Sequence, residues 1–460
     1  MQRKEIAYLV EWASRAKHKP IVIRGARQVG KSTLVRLVAE KLNFKLYEIN
    51  FERFPELGEL FNSNEPKEIL KLLAAQNNQS IVPGKTLLFL DEIQAAPNVL
   101  QVLRYFYEDM PDLHVIAAGS LLEFTLNNMP VPMPVGRIEY LHMGPMSFED
   151  FLVALQESAV LDFLVNYNLG MQFPIALHNK LTKLLKAYLI VGGMPEAIAY
   201  YVENLDFIAT ERVKQSILST YKSDFSKYAD PHLQDIIRKI FNTLPRLIGN
   251  KFKYSNISHD YKSVVIATAL EKLCLAKVAF KVNHTASNGI PLGAEINEKI
   301  FKVIFLDVGL LATSVDLNFS NLLQTDDITM INAGAIAEQF IGQHLLYSRP
   351  IYEEPKLYYW VREQKSAASE LDYVMSMGQN IIPVEVKAGK TGTLKSLHYF
   401  MREKNLSFAV RFNADLPSIT AETTGISGGT VLDYRLLSLP LYMVGQLPRL
   451  LQHFMGAFSG

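Results

Sequence analysis

Gly25-Ala-Arg-Gln-Val-Gly-Lys-Ser32 has the spacing G-x-x-x-x-G-K-[ST], in which successive backbone N–H groups converge on phosphate oxygens. Gly25 and Gly30 reach dihedrals that other residues avoid. The loop of Gly25, Ala26, Arg27, Gln28, Val29 and Gly30 can therefore wrap a triphosphate, with Lys31, Ser32 and Thr33 opening a helix behind it. Lys31 is expected to reach the β- and γ-phosphates, and the Ser32 hydroxyl to ligate Mg²⁺. A second group, Asp91-Glu92, follows the apolar run Leu87 to Leu90. Asp91 would hold the Mg²⁺ shell, and Glu92 would accept a proton from the attacking water or orient it. Ser120 ends another apolar run and is either a sensor of the γ-phosphate or part of a Gly-Ser turn. Arg137 follows a proline-rich loop, Met129 to Gly136. It either supplies positive charge to the transferring phosphoryl group, in cis or to a neighbouring subunit, or pairs with Glu139 or Glu149. The expected cofactors are ATP and Mg²⁺.

A further constellation lies near the C-terminus. Glu370 and Asp372 share one face of an expected strand, and Glu385 and Lys387 share one face of the next, because side chains alternate with a period of two. Glu338 sits on the helix expected over residues 332–347. Two carboxylates on neighbouring strands can hold a Mg²⁺, with Glu338 completing its shell, and Lys387 can stabilise charge on a phosphodiester. The competing reading is a scaffold whose Glu385 is structural.

These groups need elements to position them. Pro20 to Arg24 reads as a buried strand and Thr33 to Leu42 as a helix. Phe44 to Phe51, Thr86 to Asp91, His114 to Ser120 and Ile138 to Leu141 read as further strands, and residues 65–76 as a helix. Strands of this kind belong to a parallel sheet, which delivers ligand-binding groups at its C-terminal edge. Ile6, Leu9, Val10 and Ala13 recur at helical spacing and give the N-terminus an amphipathic packing helix. Ser147 caps a helix leaving the sheet.

The residues Arg24 to Thr33, Phe89-Leu-Asp-Glu-Ile-Gln94, Ala118-Gly-Ser120, Gly136-Arg137 and Pro145-Met-Ser-Phe148 resemble a family of prokaryotic AAA-type ATPases. In that family the ATPase is paired with a C-terminal domain of unknown function. The resemblance implies the additional-strand topology, in which one strand lies between the phosphate-loop strand and the Asp-Glu strand. Gly192-Gly-Met-Pro-Glu196 and Phe305-Leu-Asp-Val-Gly-Leu310 also look like motifs of this family. The first is expected as a turn between helices, and Asp307 in the second as a helix cap. The order Glu, Asp, Glu-x-Lys, with thirteen positions from Asp372 to Glu385, resembles the restriction-endonuclease-like fold. That fold commonly has a Pro before the Asp, which this chain lacks.

Between Arg212 and Lys302, fifteen Lys and Arg stand against seven Asp and Glu, although the whole chain carries a net charge of +1. A helix over 232–248, a turn at 253–257, a helix over 262–273 and a strand pair, 276–281 and 296–304, resemble a winged helix-turn-helix. Lys262, Ser263 and Lys272 would then face a DNA groove and Lys281 a phosphate. The alternative is a lid or subunit contact with a solvated basic face. Lys390, Lys395 and Arg402 add basic surface further on.

The expected fold class is α/β. A P-loop parallel sheet of AAA type spans 1–150, followed by a helical lid or connector at 151–210 and a winged-helix-like domain at 211–310. A polar linker at 320–327 leads to a smaller restriction-endonuclease-like α/β domain at 328–460. Expected partners are ATP, with DNA or a protein as the downstream partner and an oligomer possible. The start lacks a secretion-signal pattern, no stretch is apolar enough to cross a membrane, and Cys274 stands alone between leucines, so a cytoplasmic protein without disulfides is expected.

Overall fold

The structure is a computed structural model that describes residues 3–124, 136–227, 229–315, 333–362, 369–389, 392–426 and 430–456. Most of the loop from Met129 to Gly136, the expected linker at 320–327 and Lys390 lie outside the described residues. The chain divides into two compact units. One comprises Met1–Pro145, Leu275–Val278 and Pro350–Glu354, and the other comprises the remainder.

In the first unit, β1 (Ile21–Arg24), β2 (Lys45–Asn50), β3 (Thr86–Asp91), β4 (His114–Gly119) and β5 (Glu139–His142) form a sheet in the order β2-β3-β4-β1-β5. Every neighbouring pair is parallel. β4 lies between the phosphate-loop strand and the Asp91 strand, which is the topology the resemblance implies. Ile21, Val22 and Ile23 and every residue of β3 and β4 are buried, because helices cover both faces of a parallel sheet. Those helices are α1 (Lys4–Ser14), α2 (Lys31–Leu42), α3 (Pro66–Asn77) and α4 (Asn98–Asp109). α4 buries Val99, Leu100, Val102, Leu103 and Phe106 in a core shared with Leu88, Leu90, Val115 and Ala117. α1 buries Ile6 and Leu9 of the expected face together with Trp12, while Val10 and Ala13 are half-buried. Since all five strands run the same way, the loops that follow β1, β3 and β4 emerge at one edge.

The second unit begins with helices α5 (Phe148–Ala154), α6 (Ser158–Asn166), α7 (Ile175–Val191), α8 (Pro195–Asn204) and α9 (Phe207–Asp224). Ser147 opens α5 through a capping box with Asp150. α10 (Pro231–Thr243), a turn at Tyr254–Asn256 and α11 (Ser263–Leu275) follow. Cys274 is half-buried on α11. After α12 (Val308–Ser314) and α13 (Ala333–Leu346) come α14 (Lys395–Lys404) and α15 (Leu447–Gly456).

Eight strands complete this unit: β6 (Ala279–Thr285), β7 (Ile296–Phe305), β8 (Leu357–Arg362), β9 (Ser369–Met377), β10 (Asn380–Val386), β11 (Phe408–Asn413), β12 (Ser418–Ile426) and β13 (Thr430–Pro440). Their order is β12-β13-β11-β10-β9-β8-β6-β7. The pair expected as a wing is thus the edge of a larger mixed sheet. β6 pairs antiparallel with β7 and, on its other side, parallel with β8 through Val282 and Leu357. The reason is that β6 has two hydrogen-bonding edges and β8 satisfies the second, so the sheet runs through the boundary expected at 310–328.

Candidate functional sites

The loop after β1 approaches other backbone closely. A Cβ on Gly25 would collide with the carbonyl oxygen of Met143, so only glycine fits there. Gln28 and Gly30 adopt left-handed dihedrals, φ 61° and 94°, which turn the chain into α2. The Lys31 ammonium is buried in the loop and donates to the carbonyls of Gly25 at 3.1 Å and Ala26 at 2.8 Å. Burial pulls its pKa down to about 8, although Glu92 and Asp91 oppose that shift. Arg3 at the start of α1 reaches the same loop, donating to the carbonyls of Val29 at 2.6 Å and Gly144 at 2.7 Å.

The ends of β3 and β4 complete the edge. The Ser32 hydroxyl donates to Asp91 Oδ2 at 2.9 Å, and Asn50 Nδ2 donates to the same oxygen at 3.4 Å. Burial raises the Asp91 pKa above the usual carboxylate value, while the Ser32 hydrogen bond opposes it. Glu92 has a left-handed backbone, φ 53°. Its Oε2 accepts from Gln94 Nε2 at 2.6 Å, from the Ser120 hydroxyl at 3.2 Å and from the Ser120 amide at 3.3 Å. Lys31, Ser32, Asp91, Glu92 and Ser120 therefore form one cluster with Asn50 and Gln94. Arg137 does not join it. It stands before β5, at the sheet edge opposite the phosphate loop, and its Nε donates to Glu108 Oε1 at 2.7 Å rather than to Glu139 or Glu149.

In the second unit, the register that pairs Val384 with Tyr373 sets Asp372 beside Glu385 on adjacent antiparallel strands. Asp372 Oδ2 accepts from the Val386 amide at 2.7 Å, and Lys387 Nζ lies 2.6 Å from Glu385 Oε1. Glu338 approaches from α13, but its partner is a lysine from β7. Lys302 Nζ lies 2.9 Å from Glu338 Oε1, 2.5 Å from Glu370 Oε1 and 3.9 Å from Asp372 Oδ1, with its side chain 1% exposed. Burial would lower its pKa, yet these carboxylates outweigh that and raise it. Burial pushes Glu338 up to about 7 against the pull of Lys302, and burial with the charge of Asp372 pushes Glu385 up to about 7. The Mg²⁺ shell expected from Glu338, Asp372 and Glu385 does not assemble, because an ammonium stands among the acids. Among the described residues, no three acidic, His or Cys side chains are spaced to hold a metal. Lys281, expected to face phosphate, is 2.8 Å from Glu271.

Residues 17–152 match the family described as an AAA domain. That stretch, most of the first unit, is thus similar to AAA domains, and its parallel sheet with the loop after β1 is a P-loop fold. Residues 182–321 and 333–417 match two domains of unknown function, DUF8612 and DUF4143. Among solved structures, a Walker-type ATPase of Pyrococcus abyssi shares 15% identity over 68% of this chain and 95% of its own, with a TM-score of 0.43. The ORC2 protein of Aeropyrum pernix shares 14% over 70% and 93%, TM-score 0.35. The RuvB Holliday junction branch migration motor of Thermotoga maritima shares 14% over 65% and 93%, TM-score 0.30. No curated protein matches the chain. Among the described residues, no helix is long and apolar enough to cross a membrane.

The match to an AAA domain implies ATP binding, and the groups expected to serve it lie together at the sheet edge. Sequence reasoning names most of these groups but misses four residues. Arg3 reads as part of a packing helix, although a basic residue ahead of an apolar helix is a visible signal. Asn50 ends β2, where the register sets it opposite Asp91, and Gln94 lies two positions after Glu92. Lys302 has no local signal, since Ile300-Phe-Lys-Val-Ile304 reads as an ordinary strand.

Proposed function

We propose that the protein hydrolyses ATP in a Mg²⁺-dependent reaction and uses the cycle to switch its second unit. The observation that carries this reading is Glu92, whose carboxylate is gripped by Ser120 and Gln94 beside the Ser32–Asp91 pair. The loop amides and Lys31 bind and orient the β- and γ-phosphates, and burial strengthens that attraction because little solvent screens it. Ser32 and Asp91 fit a hard divalent cation, being oxygen donors 2.9 Å apart with the carboxylate buried. When bound, such an ion neutralises charge on the phosphates. Glu92 holds the attacking water and takes its proton, and Ser120 keeps the carboxylate aimed while reporting the state of the γ-phosphate. Arg137, distant from its own loop and paired with Glu108, has a structural role within this chain.

Phosphate release by wild type, Lys31→Ala and Glu92→Gln tests the assignment. Lys31→Ala should lose nucleotide binding. Glu92→Gln should bind normally and turn over roughly a hundredfold more slowly. Normal turnover by Glu92→Gln would remove Glu92 as the base.

For the second unit, a restriction-endonuclease-like scaffold is supported by Asp372 and Glu385 on adjacent strands with Lys387 beside them. Lys302 among the acids favours a switch that binds a protein partner over a nuclease acting on DNA. The alternative of DNA contact rests on the order α10, turn, α11 and on the basic excess of that region. Plasmid cleavage with Mg²⁺ or Mn²⁺ separates the readings: cutting that Glu385→Ala abolishes would restore the nuclease.

A further inference from the structure

Lys302 is the most buried charge in the acidic cluster, and its position is built by the surrounding chain. Gln339, next to Glu338 on α13, donates through Nε2 to the Phe305 carbonyl at 2.7 Å and accepts from the Phe305 amide at 2.8 Å. One turn on, Gln343 Oε1 accepts from the Val308 amide at 2.9 Å. Two glutamine amides thus pin α13 to the end of β7, three residues beyond Lys302, and to the start of α12. Glu338 is further constrained, since its own carbonyl accepts from the Tyr373 hydroxyl of β9 at 2.8 Å. The helix, β7 and β9 are therefore fixed to one another around the ammonium. A fully buried ammonium survives only where carboxylates compensate its lost hydration, and here three of them do.

We propose that Lys302 is a built-in cation of this carboxylate cluster, occupying the position a divalent ion would need, so that the second unit keeps its acids in a metal-independent form. The argument is steric as well as electrostatic. Ammonium-to-oxygen distances of 2.5 and 2.9 Å to Glu370 and Glu338 leave no room for an ion within the 2.0–2.6 Å that Mg²⁺ or Ca²⁺ requires. A divalent ion sharing these oxygens would sit against an ammonium in a medium that screens poorly. The ion would have to expel Lys302, whose side chain is 1% exposed. Glu385 lies outside the reach of Lys302: Lys387 holds its Oε1, and its Oε2 is buried without a hydrogen-bond partner. This inference stands on the second unit alone and is independent of the ATPase assignment.

Mn²⁺ binding to the full chain, followed by electron paramagnetic resonance of the free ion, tests it. Asp91→Asn removes the carboxylate of the nucleotide site, so that background reads the second unit. With Lys302 intact, no Mn²⁺ should be retained. Asp91→Asn/Lys302→Ala should gain about one ion per chain, lost again when Glu338→Gln is added. Mn²⁺ should also raise the thermal midpoint of the Lys302→Ala form and leave that of the Lys302 form unchanged. Retention of Mn²⁺ by the Lys302-intact chain, removed by Glu338→Gln, would overturn the proposal, and so would a folded Lys302→Ala chain that binds none. Should Lys302→Ala fail to fold, the Lys302-intact titration still decides: no retained ion supports the built-in cation, and a Glu338-dependent ion refutes it.

Discussion

Asp307 Oδ2 accepts the amide proton of Gly193 at 2.6 Å, joining two segments more than a hundred positions apart. Its other oxygen caps α12 by accepting from the Leu310 amide at 2.9 Å. The motifs Gly192-Gly-Met-Pro-Glu196 and Phe305-Leu-Asp-Val-Gly-Leu310 are thus two halves of one buried joint. Gly192 has φ 81°, and a Cβ there would collide with Asp307 Oδ1 and crowd the backbone of Gly309. Gly192→Ala should therefore destabilise the second unit by at least about 1–3 kcal/mol. Urea unfolding followed by far-ultraviolet circular dichroism checks this, and an unchanged midpoint would sink the joint.

The Arg3 guanidinium connects the N-terminal helix to the phosphate loop through the carbonyls of Val29 and Gly144. Both contacts are to backbone carbonyls, so its effect on nucleotide affinity should come through the shape of the loop. Arg3→Met should raise the dissociation constant for a fluorescent ATP analogue on the order of tenfold, the worth of a charged hydrogen bond or two. Arg3→Lys, which keeps the charge, should recover part of it. A purely structural arginine would lower the thermal midpoint without moving affinity.

The phosphate loop is legible in the sequence because its chemistry is local: eight consecutive residues carry both the dihedral demands and the charge. Asp91, Glu92 and Ser120 are nearly as legible, since each ends an apolar run that can only be a buried strand. The second unit is harder to read. Lys302 acts on Glu338 and Glu370 from distant positions, and only the tertiary fold brings an isolated lysine to them. The strands β11 to β13 escape as well. Phe408–Asn413 is short, and Leu436 to Leu439 sits in an apolar tail whose prolines argue against a helix without revealing a strand.

His142 at the end of β5 is buried, and desolvation, with Arg24 and Lys277 nearby, pulls its pKa from 6.5 down to about 4. Glu354 opposes the shift. A folded value below the unfolded one means the unfolded chain binds the extra proton between these limits. The stability His142 contributes is thus fully present above about pH 6.5 and is lost as pH falls towards 4, by roughly 3 kcal/mol. In thermal melts from pH 7 to 4.5 the first unit of wild type should lose more stability than that of His142→Gln. Parallel pH profiles for the two proteins would refute the assignment.

Ser120 holds Glu92 with both its hydroxyl and its amide, and Gln94 holds the same oxygen from the other side. Ser120→Ala keeps the amide contact and removes the hydroxyl, so Glu92 should remain nearby but lose its fixed aim. Because the hydrogen bonds of both groups go to Glu92, nucleotide affinity should stay within about twofold while turnover falls on the order of tenfold, the loss of one charge-assisted hydrogen bond. Gln94→Ala should act in the same direction. If both residues work only by orienting one carboxylate, the double variant should be little slower than Glu92→Gln, and the two single effects should not multiply. Unchanged turnover in Ser120→Ala would leave Ser120 as a turn residue after β4, and multiplicative losses would mean that Gln94 and Ser120 act on different steps.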